Sequence, residues 1–151
     1  MASEFRPFGS YQPSLAEGFI LGWEGCKLTA YPCAAGVWTI GAGHTKGVKE
    51  GDTCTEEQAK AWLIDDIKET QTLLAHYVNV PVTQNEFVAL VSLAFNVGVG
   101  ALMKSKLLMK LNSGDREGAA EEFLDFDLAN GKRLAGLTRR RKAEHDLFLT
   151  D

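Results

Sequence analysis

Residues 24–45 read Glu24-Gly25-Cys26-Lys27-Leu28-Thr29-Ala30-Tyr31-Pro32-Cys33-Ala34-Ala35-Gly36-Val37-Trp38-Thr39-Ile40-Gly41-Ala42-Gly43-His44-Thr45. Glycines recur at 36, 41, 43, 47 and 51, and the β-formers Tyr31, Val37, Trp38, Thr39 and Ile40 lie between them. This pattern predicts two or three short antiparallel strands in a β-lobe over 28–54, with a turn at Ala34-Ala35-Gly36. Strands so rich in glycine build no strong core. They bring backbone close to something or shape the wall of a cleft.

Helical patterns bracket this segment. Ser14-Leu15-Ala16-Glu17 has the form of a capping box, and Leu15, Phe19, Ile20 and Trp23 follow at helical spacing, which predicts a helix over 14–26. Thr55-Glu56-Glu57-Gln58 opens a long helix over 55–77, and Thr83-Gln84-Asn85-Glu86 opens another that Gly98 and Gly100 end. Short helices are predicted over Leu102–Leu111 and from the Asp115 cap to about Asp127. A turn at Asn130-Gly131 follows, then a last helix opening at Thr138. The expected architecture is α+β, mostly α, with the helical lobe over 55–150 and one domain over 1–151.

The chain has 151 residues, 45% apolar and 24% charged, with a net charge of −4. That balance fits one globular domain and excludes a disordered chain, and the net charge gives no field for nucleic acid. No apolar run approaches the ~18 residues of a membrane span. Met1 to Ser14 has the form of neither a secretory signal nor an anchor. Three cysteines, Cys26, Cys33 and Cys54, form no CxxC pair, and His44, His76 and His145 are scattered, so neither a disulfide framework nor a metal or other cofactor is expected. A Cys26–Cys54 link is conceivable in an oxidising compartment, and spacing does not favour it over Cys26–Cys33.

Glu24 stands beside Trp23 at the end of the first predicted helix, where desolvation can raise a carboxylate toward the range of a general acid. At the other end of the chain, Lys132, Arg133 and Arg139 to Lys142 put cations at a helix start, where the dipole opposes them. They form a solvated basic face, or one of them meets an anion.

These features together are specific. Glu24 is followed after eight residues by Cys33 and after five more by Thr39, within Trp38-Thr39-Ile40-Gly41-Ala42-Gly43-His44-Thr45. Ala94-Phe95-Asn96-Val97-Gly98 and Gly136-Leu137-x-x-Arg140-Arg141-x-x-Glu144-x-x-Leu147-Phe148 complete the pattern. The chain resembles the bacteriophage-type lysozymes, the endolysin muramidases of glycoside hydrolase family 24. The resemblance implies a lysozyme-like fold, with the cleft between the β-lobe and the helical lobe. It implies cleavage between N-acetylmuramic acid and N-acetylglucosamine, with Glu24 as acid and Thr39 holding the water. Arg140 would pair with Glu24, and His44 would be structural or orient groups in the cleft. Asn96 and Gly43 would meet substrate. The implied partner is bacterial peptidoglycan, met in the periplasm by a monomer that leaves the host cytoplasm through a separate holin-type pore.

The family usually has Asp where Cys33 stands, and some members carry Cys there. No acid lies between Leu28 and Lys46, so a thiolate at Cys33 would be the base or nucleophile, or a thiol would only place water. Two other readings remain at this point. One is a peptidoglycan amidase or peptidase using Cys33 and His44. The other is a non-catalytic wall-binding homologue.

Overall fold

The computed structural model describes residues 4–33, 35–129 and 131–150. Pro13 starts a 3-10 turn, Pro13–Ala16, that passes into helix α1, Glu17–Glu24. The expected capping box at Ser14 is not formed: its side chain makes no cap bond, and the Glu17 N–H bonds the Ser14 main-chain carbonyl instead. Nor does the helix reach 26. Gly25, at φ 69°, takes the left-handed turn that residues with a side chain resist, and it ends α1 directly after Glu24.

Strands β1, Lys27–Pro32, and β2, Trp38–Gly41, then pair antiparallel, with Tyr31 opposite Thr39 and Pro32 opposite Trp38. Among the described residues of the β-lobe no third strand forms. A single bridge from Thr29 to Thr53 ties the following loop to β1 instead. Ala34 of the predicted turn lies outside the described residues; Gly36, at φ 81°, is in it.

Both threonine capping boxes are present. Thr55 and Gln58 bond reciprocally at the start of α2, Glu56–Ala75, and Thr83 and Glu86 do so at the start of α3, Gln84–Val97. Residues Phe87 to Ala94 are buried on every face of α3, so this helix is the centre of the core. The helix expected over Leu102–Leu111 is two helices, α4, Val99–Met103, and α5, Lys106–Asn112. Ser105 stops the first and caps the second, its side chain accepting from the Leu108 N–H. Asp115 caps α6, Arg116–Glu122, through the Gly118 N–H, and a 3-10 turn, Phe123–Asp125, extends it.

An unpredicted ladder follows, β3, Leu128–Ala129, against β4, Lys132–Arg133; Asn130 of the expected turn lies outside the described residues. Helix α7, Ala135–Phe148, starts three residues before Thr138. The Thr138 hydroxyl does not cap it. It donates to Asp127 Oδ2 at 2.8 Å, and Arg133 Nη1 donates to both oxygens of the same carboxylate at 2.6 and 2.7 Å. Asp127 thus fixes the entry of α7 from the side.

The result is an α+β fold, mostly helical, with a small antiparallel β-lobe. Helices α1 and α7 both pack on α3, which brings the two ends of the chain together over Ser92. Among the described residues no helix is long and apolar enough to cross a membrane.

Candidate active site

Glu24 is the last residue of α1, and its side chain is 17% exposed. Trp23, the indole beside it in sequence, is 39% exposed and lines the same pocket. The carboxylate meets a cation. Arg140 Nη1 donates to Glu24 Oε2 at 2.5 Å across 116 residues of sequence. Arg140 reaches it because α7 begins at Ala135, which turns Arg140 and Arg141 inward and leaves Arg139 and Lys142 on the solvated face. The basic run is therefore both things at once, a solvated face and a partner for an anion.

Behind Arg140 lies a buried polar cluster. Its Nη2 donates to the Ser92 carbonyl at 3.2 Å and to Ser92 Oγ at 3.3 Å, while its Nε is 3.4 Å from Glu144 Oε2. Ser92 Oγ donates to Glu144 Oε2 at 2.5 Å. Arg141 Nε lies 2.6 Å from Glu144 Oε1, and both side chains are fully buried. Burial pushes the Glu144 carboxyl up, and Arg141, Ser92 and Arg140 oppose that shift. Burial likewise lowers Arg141, against the pull of Glu144.

Gly43 closes the other side of Glu24. A Cβ built on it would sit 2.9 Å from Glu24 Oε1 and 3.2 Å from a ring carbon of Phe95, and its φ of 82° is left-handed. Only glycine fits there without moving the carboxylate. Glu24 and Gly43 each line a pocket. One, of about 490 Å³, is lined by Trp23, Glu24, Asn96, Leu134, Leu137 and Arg140 among others. A second, of about 360 Å³, includes Gly43, Lys46, Asp66, Glu69 and Phe95 in its wall. Gly43 therefore lines a pocket and abuts the carboxylate, and Asn96 shares the pocket of Glu24.

Cys33 sits at the end of the hairpin turn, where its N–H bonds the Val37 carbonyl at 2.9 Å. The backbone N–H groups of Ala35 and Val37, with a smaller contribution from the Thr39 hydroxyl, hold its thiol below the usual range. Thr39 is 3% exposed, and its hydroxyl donates to the Val37 carbonyl at 2.9 Å. Tyr31, which faces Thr39 in the register, has its phenol pushed up by burial and further by the charges of Glu24 and Cys33. It therefore stays protonated.

His44 is engaged elsewhere. Its Nδ1 is 2.7 Å from Asp66 Oδ2, and its ring stacks on Trp62 at 4.6 Å between centroids, so it anchors the hairpin to α2. No bond links it to Cys33 among the described residues. Cys26 and Cys54 are free thiols, as is Cys33, and burial pushes Cys54 up. The described residues bring together no group of three or more His, Cys, Asp and Glu fit for a metal ion.

Contacts and pocket lining bring together Glu24, Arg140, Gly43 and Asn96, whereas Cys33 and Thr39 stay on the hairpin and line neither of these two pockets. Sequence reading missed Ser92, the Glu144 brace, Tyr31 and Phe95. A signal for Glu144 was present: it follows Arg140 by four residues and Arg141 by three, which places all three on one helix face. Ser92 is the polar residue within the otherwise apolar run from Phe87 to Phe95.

Comparisons with known proteins converge. The sequence model of the Phage lysozyme family matches residues 21–144, which takes in every residue of the site. An endolysin of Acyrthosiphon pisum secondary endosymbiont phage 1 is 49% identical over 130 residues, covering 83% of this chain and 89% of that relative. Among solved structures, the muramidase domain of SpmX from Asticaccaulis excentricus aligns with a TM-score of 0.82 at 37% identity, over 90% of this chain and 95% of that one. An endolysin from Escherichia coli O157:H7 phage FAHEc1 aligns with a TM-score of 0.82 at 35% identity, over 92% and 93%. The chain belongs to the phage lysozyme family and is a lysozyme-type hydrolase that degrades peptidoglycan.

Proposed function

We propose that this lysozyme hydrolyses the β-1,4 bond between N-acetylmuramic acid and N-acetylglucosamine, with Glu24 as general acid. The observation that carries the reading is the Glu24–Arg140 contact in the wall of a pocket. Arg140 occupies Oε2, which leaves Oε1 to carry the proton. Gly43 keeps the space beside Oε1 clear. The proton passes from Oε1 to the leaving glycosidic oxygen as the C1–O bond breaks.

A water adds to C1 from the hairpin side. Thr39 and Cys33 hold it, and a thiolate at Cys33 takes its proton where a second carboxylate would otherwise serve. The Ala35 and Val37 N–H groups supply the stabilisation that makes this thiolate accessible. The amidase reading is weaker, because the His44 ring is committed to Asp66 and Trp62. On this reading the chain acts as a monomer on peptidoglycan in the periplasm, after a separate holin-type pore releases it from the host cytoplasm.

Mass spectrometry of the fragments released from purified peptidoglycan tests the bond. Fragments ending in reducing N-acetylmuramic acid are expected. New free amines with intact glycan would establish a peptidase or amidase, and anhydro ends would establish a lytic transglycosylase.

A further inference from the structure

We propose that Ser92 and Glu144 are positioning residues for this reaction, bracing Arg140 from behind, and that the Glu144 charge sets how strongly Arg140 acts on Glu24. The proposal rests on reading Glu24 as the acid. Its basis is the direction of each hydrogen bond. Arg140 spends Nη2 on Ser92 and turns Nε to Glu144, so Nη1 is the nitrogen left for Glu24. Ser92 Oγ joins the two halves of the brace, donating to Glu144 and accepting from Arg140. Both Ser92 and Glu144 are 0% exposed, so their geometry is held by the α3–α7 packing rather than by water.

Charge gives the second argument. Glu144 is the negative charge between Arg140 and Arg141, the two guanidiniums behind Glu24. Glu24 faces Arg140 from α7 and Tyr31 from β1, and it also acts on Arg141. Glu144 faces Arg140 and Arg141 on its own helix and Ser92 on α3. Without Glu144, two guanidinium groups would stand behind Glu24 with no counter-charge. A net positive neighbourhood favours the carboxylate over the acid, and Glu24 must be the acid. A buried ion pair adds little to stability compared with apolar packing. The cluster has its use in the chemistry.

The test is the pH profile of initial lysis rate for the 151-residue chain and its variants. Arg140→Ala identifies the limb that reports Glu24, by moving it to higher pH. Glu144→Gln keeps the shape and removes the charge, and it is expected to move that same limb the opposite way, by about one pH unit. A merely structural role would lower the rate and leave the limb in place. A folded Glu144→Gln variant with the wild-type profile, or with the limb moved upward, overturns the proposal. Should Glu144→Gln fail to fold, Ser92→Ala reads the brace: kcat on solubilised peptidoglycan fragments falls several-fold at unchanged KM, and a wild-type kcat overturns it. Loss of the functional reading looks different, because a folded Glu24→Gln variant would then stay active.

Discussion

The two sides of the cleft are built by opposite means. On the hairpin side, main-chain groups do the work: N–H groups of Ala35 and Val37 face the Cys33 sulfur, and glycine at 43 makes room for Glu24. On the helical side, side chains do it. Arg140, Arg141, Glu144 and Ser92 are buried, and every charge has an opposite within reach. A site made of backbone tolerates changes of side chain provided the turn survives. One made of buried charges tolerates almost none, because removing one partner strands the other.

Substitutions can break that contrast in order of size. Arg141→Ala removes the nearer of the two guanidiniums on the buried Glu144, and losing one partner of a buried pair costs about 3–5 kcal/mol. Thermal unfolding should show a drop in Tm of roughly 10 °C or more for a chain of this size. A Tm within a few degrees of wild type would mean that the cluster relaxes more freely than its burial suggests.

Gly43→Ala comes next. Left-handed backbone at a non-glycine residue costs about 1–3 kcal/mol, and the new Cβ presses on Glu24 Oε1. Activity should fall by more than stability does, as read by lysis rate against chemical denaturation on the same preparation. Equal losses would make Gly43 a turn residue and nothing more.

Cys33 substitutions should be the mildest to the fold. Cys33→Ala should keep the wild-type Tm and lose tenfold or more in rate, about 1.4 kcal/mol. Cys33→Asp should retain substantial activity, since it too carries a negative charge. Cys33→Ser separates charge from water placement: a rate equal to Cys says that the residue only holds water. Iodoacetamide near neutral pH should modify Cys33 before Cys54, because one thiol is held down by backbone N–H groups and the other is pushed up by burial. Peptide mapping gives the order, and Cys54 reacting first would remove the case for a stabilised thiolate. A fully active Cys33→Ala would leave Glu24 and Thr39 as the working pair.

The same contrast governs what could be read from the sequence. The hairpin half is local, so the spacing of Glu24, Cys33 and Thr39, the glycines and the Trp38–Thr45 string were all visible in one stretch. The Thr55 and Thr83 capping boxes were legible for the same reason. Ser14 had an identical local signature and failed, because Pro13 and the 3-10 turn satisfy the helix start through the main chain. The start of α7 was misplaced because its fixing contact, Asp127 with Thr138 and Arg133, is a tertiary one. Arg140 was found through resemblance; its partner Ser92 lies 48 residues away and is joined to it by packing, whereas Glu144, four residues on, had a local spacing signal that went unread.

On the proposed mechanism both sides of the cleft serve one proton at Glu24. The direct measurement is the initial lysis rate of Glu24→Gln on outer-membrane-permeabilised Gram-negative cells, with circular dichroism on the same sample. The amide keeps the shape and still accepts from Arg140 but has no acidic proton to give. The account predicts a native spectrum and a rate lower by about 10² to 10⁴ or more. A folded variant lysing near the wild-type rate would contradict it and remove Glu24 from the chemistry.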